Sequence, residues 1–352
     1  MSAHETSLQL NQMSLVVNRK FPLLKLPRVV LLECIENLDV LEIILFSLLS
    51  KRAKSLAKCI RWSPLNILFD PPIRLRFTSD SGRAWIINYA NRKSHPFLNF
   101  HSSSGVEETV YYHPIPEETG YTIKDSKEKL ELICEVFRSP IHKMEINCQS
   151  LIDWIIRFQP IIRYVSIRDN VITSVETLDH VFKNLKVTEH FHLGSLAIDD
   201  TFRYAEPIPF RAISITDSSW LTLPSILHGT HSIVCLYGSK LELKDINICL
   251  KEWQLGNKLQ NLEYMEIETT SFLNLDDSLD EVARDLNVTP SFQNNGRPMT
   301  VKLDDESTYR LPRVDKVLNL VRNDGMIGSI FVRRSMPMHS KKIYFHVWRK
   351  QT

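Results

Sequence analysis

Six short segments with the same alternation of apolar and other residues recur between residues 143 and 268. In each segment the second and fourth residues are apolar, as Met144 and Ile146 are in the first one. Side chains alternate between the two faces of a β-strand, so this pattern is typical of a strand with one buried face. The first apolar positions are 144, 165, 191, 213, 234 and 265, which are 21, 26, 22, 21 and 31 residues apart. The sequence therefore predicts six strands at these intervals.

Helical patterns fill most of the intervals, at residues 151–156, 175–185, 220–227 and 243–253. A strand and a helix in each interval is typical of a leucine-rich-repeat-like solenoid. The fuller repeat pattern is visible once, over residues 162–170, so the repeat is degenerate. An ordinary α/β domain with a parallel sheet is the alternative. We therefore predict an α/β fold (α+β for the whole chain) with a repeat-like β/α domain and a C-terminal β cap.

Residues 19–62 contain three closely spaced helical patterns. Pro27 stands where a proline can start a helix, because the first helical N–H groups have no intrahelical partner. Apolar residues then recur at the helical period through Leu38, and Asp39 with Glu42 makes a capping-box pattern that opens a second helix. Basic residues between 51 and 58 mark a third helix. Three short helices cannot bury so much Leu and Ile alone, which predicts a partner; the alternative is a helical hairpin packed on its own domain.

The order of parts in this region resembles an F-box. An apolar lead-in, the pair Leu26–Pro27, a first helix, a short break and the sequence Ser50-Lys51-Arg52 follow one another as in that family. The resemblance implies that the region binds the Skp-type adaptor of a cullin–RING ubiquitin ligase. The adaptor-binding residues that it implies are Pro22, Leu23, Leu26, Pro27, Val30, Leu31, Ile35 and Leu38, with Ile44, Leu45 and Leu48 completing the helical core.

The stretch from about 140 to 270 resembles the F-box-associated domain, type 2, that follows the F-box in a large nematode family. The residues that carry this likeness are 241–247, 250–253 and 261–264, and the C-terminus fits it with a turn at 322–325 and a closing strand at 344–348. We therefore expect four regions: a flexible tail at 1–18, the F-box at 19–62, a connecting region at 63–139, and the F-box-associated repeat-like domain at 140–352.

The sequence of the connecting region predicts a hairpin, a loop and a helix. Residues 74–77 and 85–89 flank the turn sequence Asp80-Ser81-Gly82-Arg83 and predict a hairpin. Residues 91–123 show little periodicity and are predicted to be mostly loop. Residues 125–138 place apolar side chains on one helical face and predict a helix.

The alternation of side chains in the six predicted strands also indicates a binding surface. If each strand buries its second and fourth residues, its third residue points to the opposite face. Stacked in a parallel sheet, these third residues would form one column on the concave, exposed face that solenoids use for partners. The column, together with Tyr264, is the candidate target-binding site, and Tyr164, Arg168 and Tyr237 flank it. Its members are Glu145, Ser166, His192, Ser214, Cys235 and Glu266.

The two resemblances imply a substrate-recognition subunit of an SCF-type ubiquitin ligase, with an unknown protein target. A scaffold that holds the adaptor without delivering a target is the alternative. A hydrolase or nucleotide-binding enzyme finds little support, because none of the ten glycines form G-x-G and no nucleophile elbow occurs. His190 and His192 lack further ligands at metal-binding spacing and are expected to be surface residues. We expect a non-enzymatic protein without a cofactor or metal.

Charge and cysteine content bear on partners and location. Residues 19–62 hold nine Lys or Arg and four acidic residues, a net +5 within a chain of net +2. This excess favours an acidic adaptor, since attraction between unlike charges raises association rates. The alternative, a nucleic-acid-binding patch, would require interleaved aromatics or a binding motif.

The six cysteines are far apart in the sequence, as in proteins with reduced thiols. With neither a signal segment nor a membrane-spanning run, an intracellular protein, cytoplasmic or nuclear, is expected.

Overall fold

The computed structural model of the chain describes residues 23–70, 74–79, 83–89, 97–101, 107–113, 123–269, 275–292, 296–304, 308–314, 316–334 and 341–349. The predicted tail and Pro22 lie outside these residues. The described residues belong to two compact units. The first comprises residues up to 65 together with 76–139, and the second comprises 66–75 together with 140–352.

The first unit begins with the three predicted helices. After a 3₁₀ turn at Leu23–Lys25, they are α1 (Arg28–Glu36), α2 (Val40–Leu49) and α3 (Lys51–Ala57). Pro27 is the N-cap of α1, as predicted. The capping box is also confirmed, because Glu42 N donates to Asp39 Oδ1 and Asp39 N donates to Glu42 Oε2, both at 2.9 Å. These side chains satisfy N–H groups that a helix start leaves without partners.

Strands and a long helix follow. They are β1 (Asn66–Asp70), β2 (Arg74–Thr78), β3 (Ala84–Tyr89), β4 (Phe97–His101), β5 (Glu107–His113) and α4 (Ile123–Phe137). Ser79 N donates to Arg83 O at 3.1 Å between β2 and β3, as the predicted hairpin requires, whereas residues 80–82 of its turn lie outside the described residues. The prediction of loop over 91–123 is wrong at β4 and β5. There β5 pairs parallel with β3 and antiparallel with β4, so long-range pairing orders a segment without clear periodicity.

The second unit contains all six predicted strands, joined in parallel and in sequence order. In chain order its elements are β6 (Ile141–Ile146), α5 (Gln149–Phe158), β7 (Ile161–Ile167), α6 (Val175–Asn184), β8 (Lys186–Leu193), β9 (Ala212–Ile215), α7 (Leu223–Leu227), β10 (Ile233–Ser239), α8 (Leu243–Leu255) and β11 (Tyr264–Thr269). The second and fourth residues of every predicted segment are buried. Residues 194–211, which connect β8 to β9, contain no helix, so the strand–helix alternation is interrupted there.

The remaining elements are α9 (Leu275–Val282), β12 (Val288–Phe292), β13 (Thr300–Lys302), β14 (Thr308–Arg310), β15 (Lys316–Val321), β16 (Ile327–Arg334) and β17 (Lys341–Trp348). Strand β17 pairs antiparallel with β11 and extends the parallel sheet, so the order in this unit is β12-β15-β16-β17-β11-β10-β9-β8-β7-β6-β1. The predicted turn is confirmed, with Gly325 at a φ of 83°. A mixed α/β fold with N-terminal helices and a large sheet is therefore present. Within the ranges given above, no helix is long and apolar enough to cross a membrane.

Candidate functional site

The third residues of the six parallel strands lie side by side in one register. Glu145 is the Cα partner of Ser166, which is the partner of His192 on the next strand. The register continues from His192 through Ser214, Cys235 and Glu266. Because side chains alternate along each strand, these residues share one face of the sheet. The alignment is the one that the spacing of the segments predicts.

The column is not exposed along its whole length. Its first four members, Glu145, Ser166, His192 and Ser214, remain partly accessible. Cys235 and Glu266 are each 3% exposed and Tyr264 is fully buried, so the expectation of exposure is wrong at these three residues. The physical reason is the hairpin of β13 and β14, whose Val301 packs with Cys235 and Tyr264 in one apolar cluster.

The buried end of the column is held by hydrogen bonds and an ion pair. The Tyr264 hydroxyl donates to Glu266 Oε2 at 2.8 Å, and the Lys342 ammonium donates to Glu266 Oε1 at 2.7 Å. Lys342 also lies 4.6 Å from the centre of the Tyr237 ring. Burial raises the pKa of the Cys235 thiol to about 12, so it is protonated and unreactive at neutral pH. Glu266 and Lys342 thus join β11 to β17, and the buried Cys235, Tyr264 and Glu266 are not accessible on the surface of the chain.

The accessible end of the column lines an open groove of about 350 Å³ at the carboxyl ends of the parallel strands. Ligands of parallel α/β sheets commonly bind at this edge. Three of the predicted column residues line it, together with one of the predicted flanking residues and three that sequence reasoning missed. The lining residues are Glu145, Ser166, Arg168, Asp169, His192, Gly194 and Thr216.

Charged side chains on one wall of the groove are already paired with each other. The Arg168 guanidinium forms an ion pair with Glu145, and its second partner is Asp70, at 3.4 Å. Asp169 Oδ1 accepts hydrogen bonds from Ser195 N at 2.7 Å and from the Ser195 hydroxyl at 3.1 Å. These bonds, first the backbone one and then that of the hydroxyl, lower the pKa of Asp169, so its carboxylate is charged at neutral pH. The groove therefore offers fixed carboxylates, hydroxyls and one compensated guanidinium.

Gly194 shapes the groove by allowing two strand ends to approach closely. A Cβ atom at this position would lie 2.5 Å from both Asp169 N and Asp169 Oδ1. Gly194 and Thr216 are the last residues of their predicted segments and Asp169 directly follows another, and this position at a strand end is the signal that could have identified them. The prediction of the binding surface considered only the third residue of each segment and not the residues at the strand ends.

The two histidines of β8 are partly buried, and not the surface pair that the sequence predicts. His190 Nε2 lies 2.9 Å from the Ser214 hydroxyl. Burial lowers the pKa of both His190 and His192, which favours neutral imidazoles at neutral pH. In the part of the chain that the structure describes, no group of three His, Cys, Asp or Glu could hold a metal ion.

The helices α1 and α2 carry the second candidate surface. Of the predicted adaptor-binding residues, Leu31 and Ile35 are 1% and 0% exposed, so they belong to the helical core and cannot contact a partner directly. Leu48, predicted to be in the core, is 43% exposed. Helical period identifies an apolar stripe but not which part of it faces a partner.

The accessible apolar residues form the outer surface of these helices. Val29 and Leu49 are 77% and 73% exposed, with Val30 and Leu48 also exposed. Pro27 is exposed as well, whereas Leu26 and Leu38 are half-buried. Pro22 and the Leu23 side chain lie outside the described part of the chain. Exposed large apolar side chains on neighbouring helices are typical of a surface that binds another protein.

Comparison with protein families matches two parts of the chain. Residues 23–61 match the family described as F-box domain, and residues 207–267 match the family described as F-box associated. Both resemblances inferred from the sequence are thereby confirmed. The first match covers α1, α2 and α3, and the second covers β9, β10 and β11. No curated protein and no solved structure gives a significant match to the chain.

Proposed function

We propose that this chain, with an F-box at residues 23–61 and an F-box-associated domain at 207–267, is a substrate-recognition subunit of an SCF-type cullin–RING ubiquitin ligase. F-box domains bind Skp-type adaptors in such complexes. The observation that carries the proposal is that the F-box match coincides with helices whose outer surface is apolar and exposed. The proposed role is not catalytic, because the chain would supply proximity between a target and a ubiquitin-carrying enzyme. This function implies an intracellular location.

The adaptor interface that we propose differs in part from the one implied by the family resemblance. Leu31 and Ile35 support it from the core, while Val29, Val30, Leu48 and Leu49 would contact the adaptor together with Pro27. In such interfaces a few buried anchor residues each cost about 2 kcal/mol or more when they are truncated, while the other contacts contribute little. The exposed apolar side chains of α1 and α2 support the partner that the composition of this region predicts.

The second unit would hold the protein target. We propose that its strand–helix units are degenerate solenoid repeats and that the groove with Glu145, Ser166 and His192 is the target site. Support comes from the single register of the column and from the position of the groove at the carboxyl ends of parallel strands.

The proposal is tested by purifying the tagged chain from cells with and without proteasome inhibition. We expect a Skp-type adaptor in both samples and target proteins that accumulate when the proteasome is inhibited. Targets whose abundance does not respond would indicate a non-degradative scaffold. Absence of any Skp-type adaptor would overturn the proposed function.

A matched pair of variants assigns the adaptor surface. Val29→Asp with Leu49→Asp places two charges on the exposed face of the F-box helices and should abolish adaptor binding while targets are retained. Leu255→Asp with Val321→Asp makes the same chemical change at two residues of the second unit that are each 54% exposed. This control should retain the adaptor, and equal behaviour of the two variants would contradict the assignment.

A further inference from the structure

Helix α4 packs on the F-box helices although it lies more than sixty residues beyond the end of the F-box match. We propose, resting on the function proposed above, that α4 is a fourth helix of the adaptor-binding module and that Glu135 is a positioning residue that holds α3 in place. The module would then be discontinuous in sequence, combining residues 23–65 with residues 123–139. Contacts of Lys54 and Lys58 in the C-terminal half of α3, and of the chain that follows it, carry this inference.

The Glu135 carboxylate binds two lysines of α3. Lys58 Nζ donates to Glu135 Oε1 at 2.6 Å, and Lys54 Nζ forms an ion pair with Glu135 Oε2. Lys54 and Lys58 are four residues apart and therefore lie on one face of the helix. Their hydrogen bonds, that of Lys54 first, lower the pKa of Glu135, so the carboxylate is charged at neutral pH. Two of the basic residues that give the F-box its positive charge are thus compensated within the same unit.

Further contacts fasten the segment after α3 to the end of α4. The Arg138 guanidinium donates to Lys58 O at 3.3 Å, and Leu65 N donates to the hydroxyl of the buried Ser139 at 3.0 Å. The Trp62 ring lies 6.0 Å from the Phe137 ring, and its indole N–H donates to Ala57 O at 2.9 Å. The contacts of Phe137, Arg138 and Ser139 come from the end of α4 and the residues after it, so the packing does not depend on Glu135 alone.

The apolar face of α4 contributes to the same packing. Leu130, Ile133, Val136 and Phe137 are each 3% exposed or less. Helix α4 also contacts α2, which carries the exposed Leu48 and Leu49. A helix with one apolar face is stable in water only when that face is covered, so α4 and the F-box helices stabilise each other.

The position of α3 determines how the adaptor surface is presented. Leu48 and Leu49 directly precede Ser50, which caps α3 by accepting a hydrogen bond from Ala53 N at 3.1 Å. A change in the orientation of α3 therefore moves the backbone that carries both leucines. Through Lys54 and Lys58, Glu135 fixes that orientation without touching the adaptor itself.

The test uses the full chain with Glu135→Lys and measures affinity for a purified Skp-type adaptor. We expect affinity to fall about tenfold, the size of coupling usual within one ion-pair network. Amide hydrogen exchange at residues 51–60 should become faster in the free chain. The matched control is Glu128→Lys on the same helix, which makes the same charge change and removes an exposed ion pair with Lys124 at 3.9 Å. Combining Glu135→Lys with Lys54→Glu and Lys58→Glu should restore both affinity and slow exchange.

Unchanged affinity and exchange in Glu135→Lys would overturn the inference. So would a loss of affinity without faster exchange and without rescue by the charge swap, because Glu135 would then contact the adaptor directly. If Glu135→Lys does not fold, Glu135→Gln removes the charge at constant size and should reduce affinity in the same direction. If the unaltered chain binds no Skp-type adaptor, the proposed function fails, whereas the exchange measurement still decides whether α4 holds α3.

Discussion

Glu266 shows how much a single buried carboxylate depends on its partners. Its side chain is 4% exposed and accepts hydrogen bonds from Tyr264 and Lys342, and the Lys342 side chain is 20% exposed. A buried ion pair adds little net stability compared with apolar residues, but loss of one partner leaves an uncompensated charge. The pair therefore specifies how β11 and β17 align more than it strengthens the fold.

We expect Lys342→Met to lower the free energy of unfolding by about 3–5 kcal/mol, because Glu266 then keeps its charge without a cation. The double variant Lys342→Met with Glu266→Gln removes that charge and should recover much of the loss. Urea denaturation followed by circular dichroism measures both. A single variant no less stable than the double variant would show that the ion pair is not the cause.

Gly194→Ala tests the close approach at the groove. The added Cβ would lie 2.5 Å from Asp169 N, so the ends of β7 and β8 must separate. We expect a loss of about 1–3 kcal/mol in unfolding free energy, as for other overpacked sites. Gly256→Ala is the control, since its Cβ meets no atom within 4 Å and only its φ of 75° opposes the substitution. An unchanged unfolding free energy in Gly194→Ala would contradict the close approach.

The strand is the element whose placement the sequence predicts best. A period of two determines which side chains face the core, so the segments at Met144, Val165 and Phe191 predict both their strands and their register. The burial of Cys235 and Tyr264 beneath β13 and β14 is not predictable in the same way. These strands have three residues each, and their packing on Cys235 and Tyr264 is a long-range contact that no local pattern encodes.

For the helices, the sequence predicts where they lie but not which of their apolar residues are buried. The period of 3.6 predicts α1 and α2 together with their capping box, because each of these depends on neighbours in the sequence. Which apolar residues are covered by the chain's own helices depends on tertiary packing. The family resemblance places Leu31 and Ile35 on the adaptor surface, although both are buried and Val29 on the same helix is exposed.

At the level of the strands, Ser166→Arg tests the groove as a target site. Ser166 lies between Glu145 and His192 in the register, so a long charged side chain there would fill the groove. We expect target proteins to be lost from purifications while the adaptor is retained. Ser150→Arg makes the same substitution at an exposed position of α5 and should retain both. Retention of every target by Ser166→Arg would place the target site elsewhere.

Among the residues that the structure describes, four histidines whose pKa is lowered by burial make the fold sensitive to acid. Burial lowers the pKa of His190, His192, His231 and His346, the last to about 4. Each binds a proton more readily in the unfolded chain, whose histidine pKa is about 6.5. Their contribution to stability is therefore fully present above about pH 6.5 and is lost as the pH falls toward the folded values.

For His346 the difference in pKa corresponds to about 3 kcal/mol of stability lost between pH 6.5 and pH 4. His346→Phe keeps a ring of similar size in a site that is 4% exposed and removes the titration. We expect unfolding free energies, measured in urea at intervals of half a pH unit, to fall less steeply with acid in this variant. An unchanged slope would show that His346 does not titrate in this range.

The pairing of β17 with β11 has a consequence for synthesis on the ribosome. Lys342 follows Glu266 by 76 residues, so β11 is translated long before the strand that covers its edge. Until β17 emerges, the nascent sheet has an open edge beside β11 and a carboxylate without its ammonium, which is a state that chaperones bind and that aggregates easily. A message with a premature stop codon between residues 334 and 341 would therefore yield a chain in which β6 to β11 and β16 are translated but the strand that joins β11 to β16 is missing.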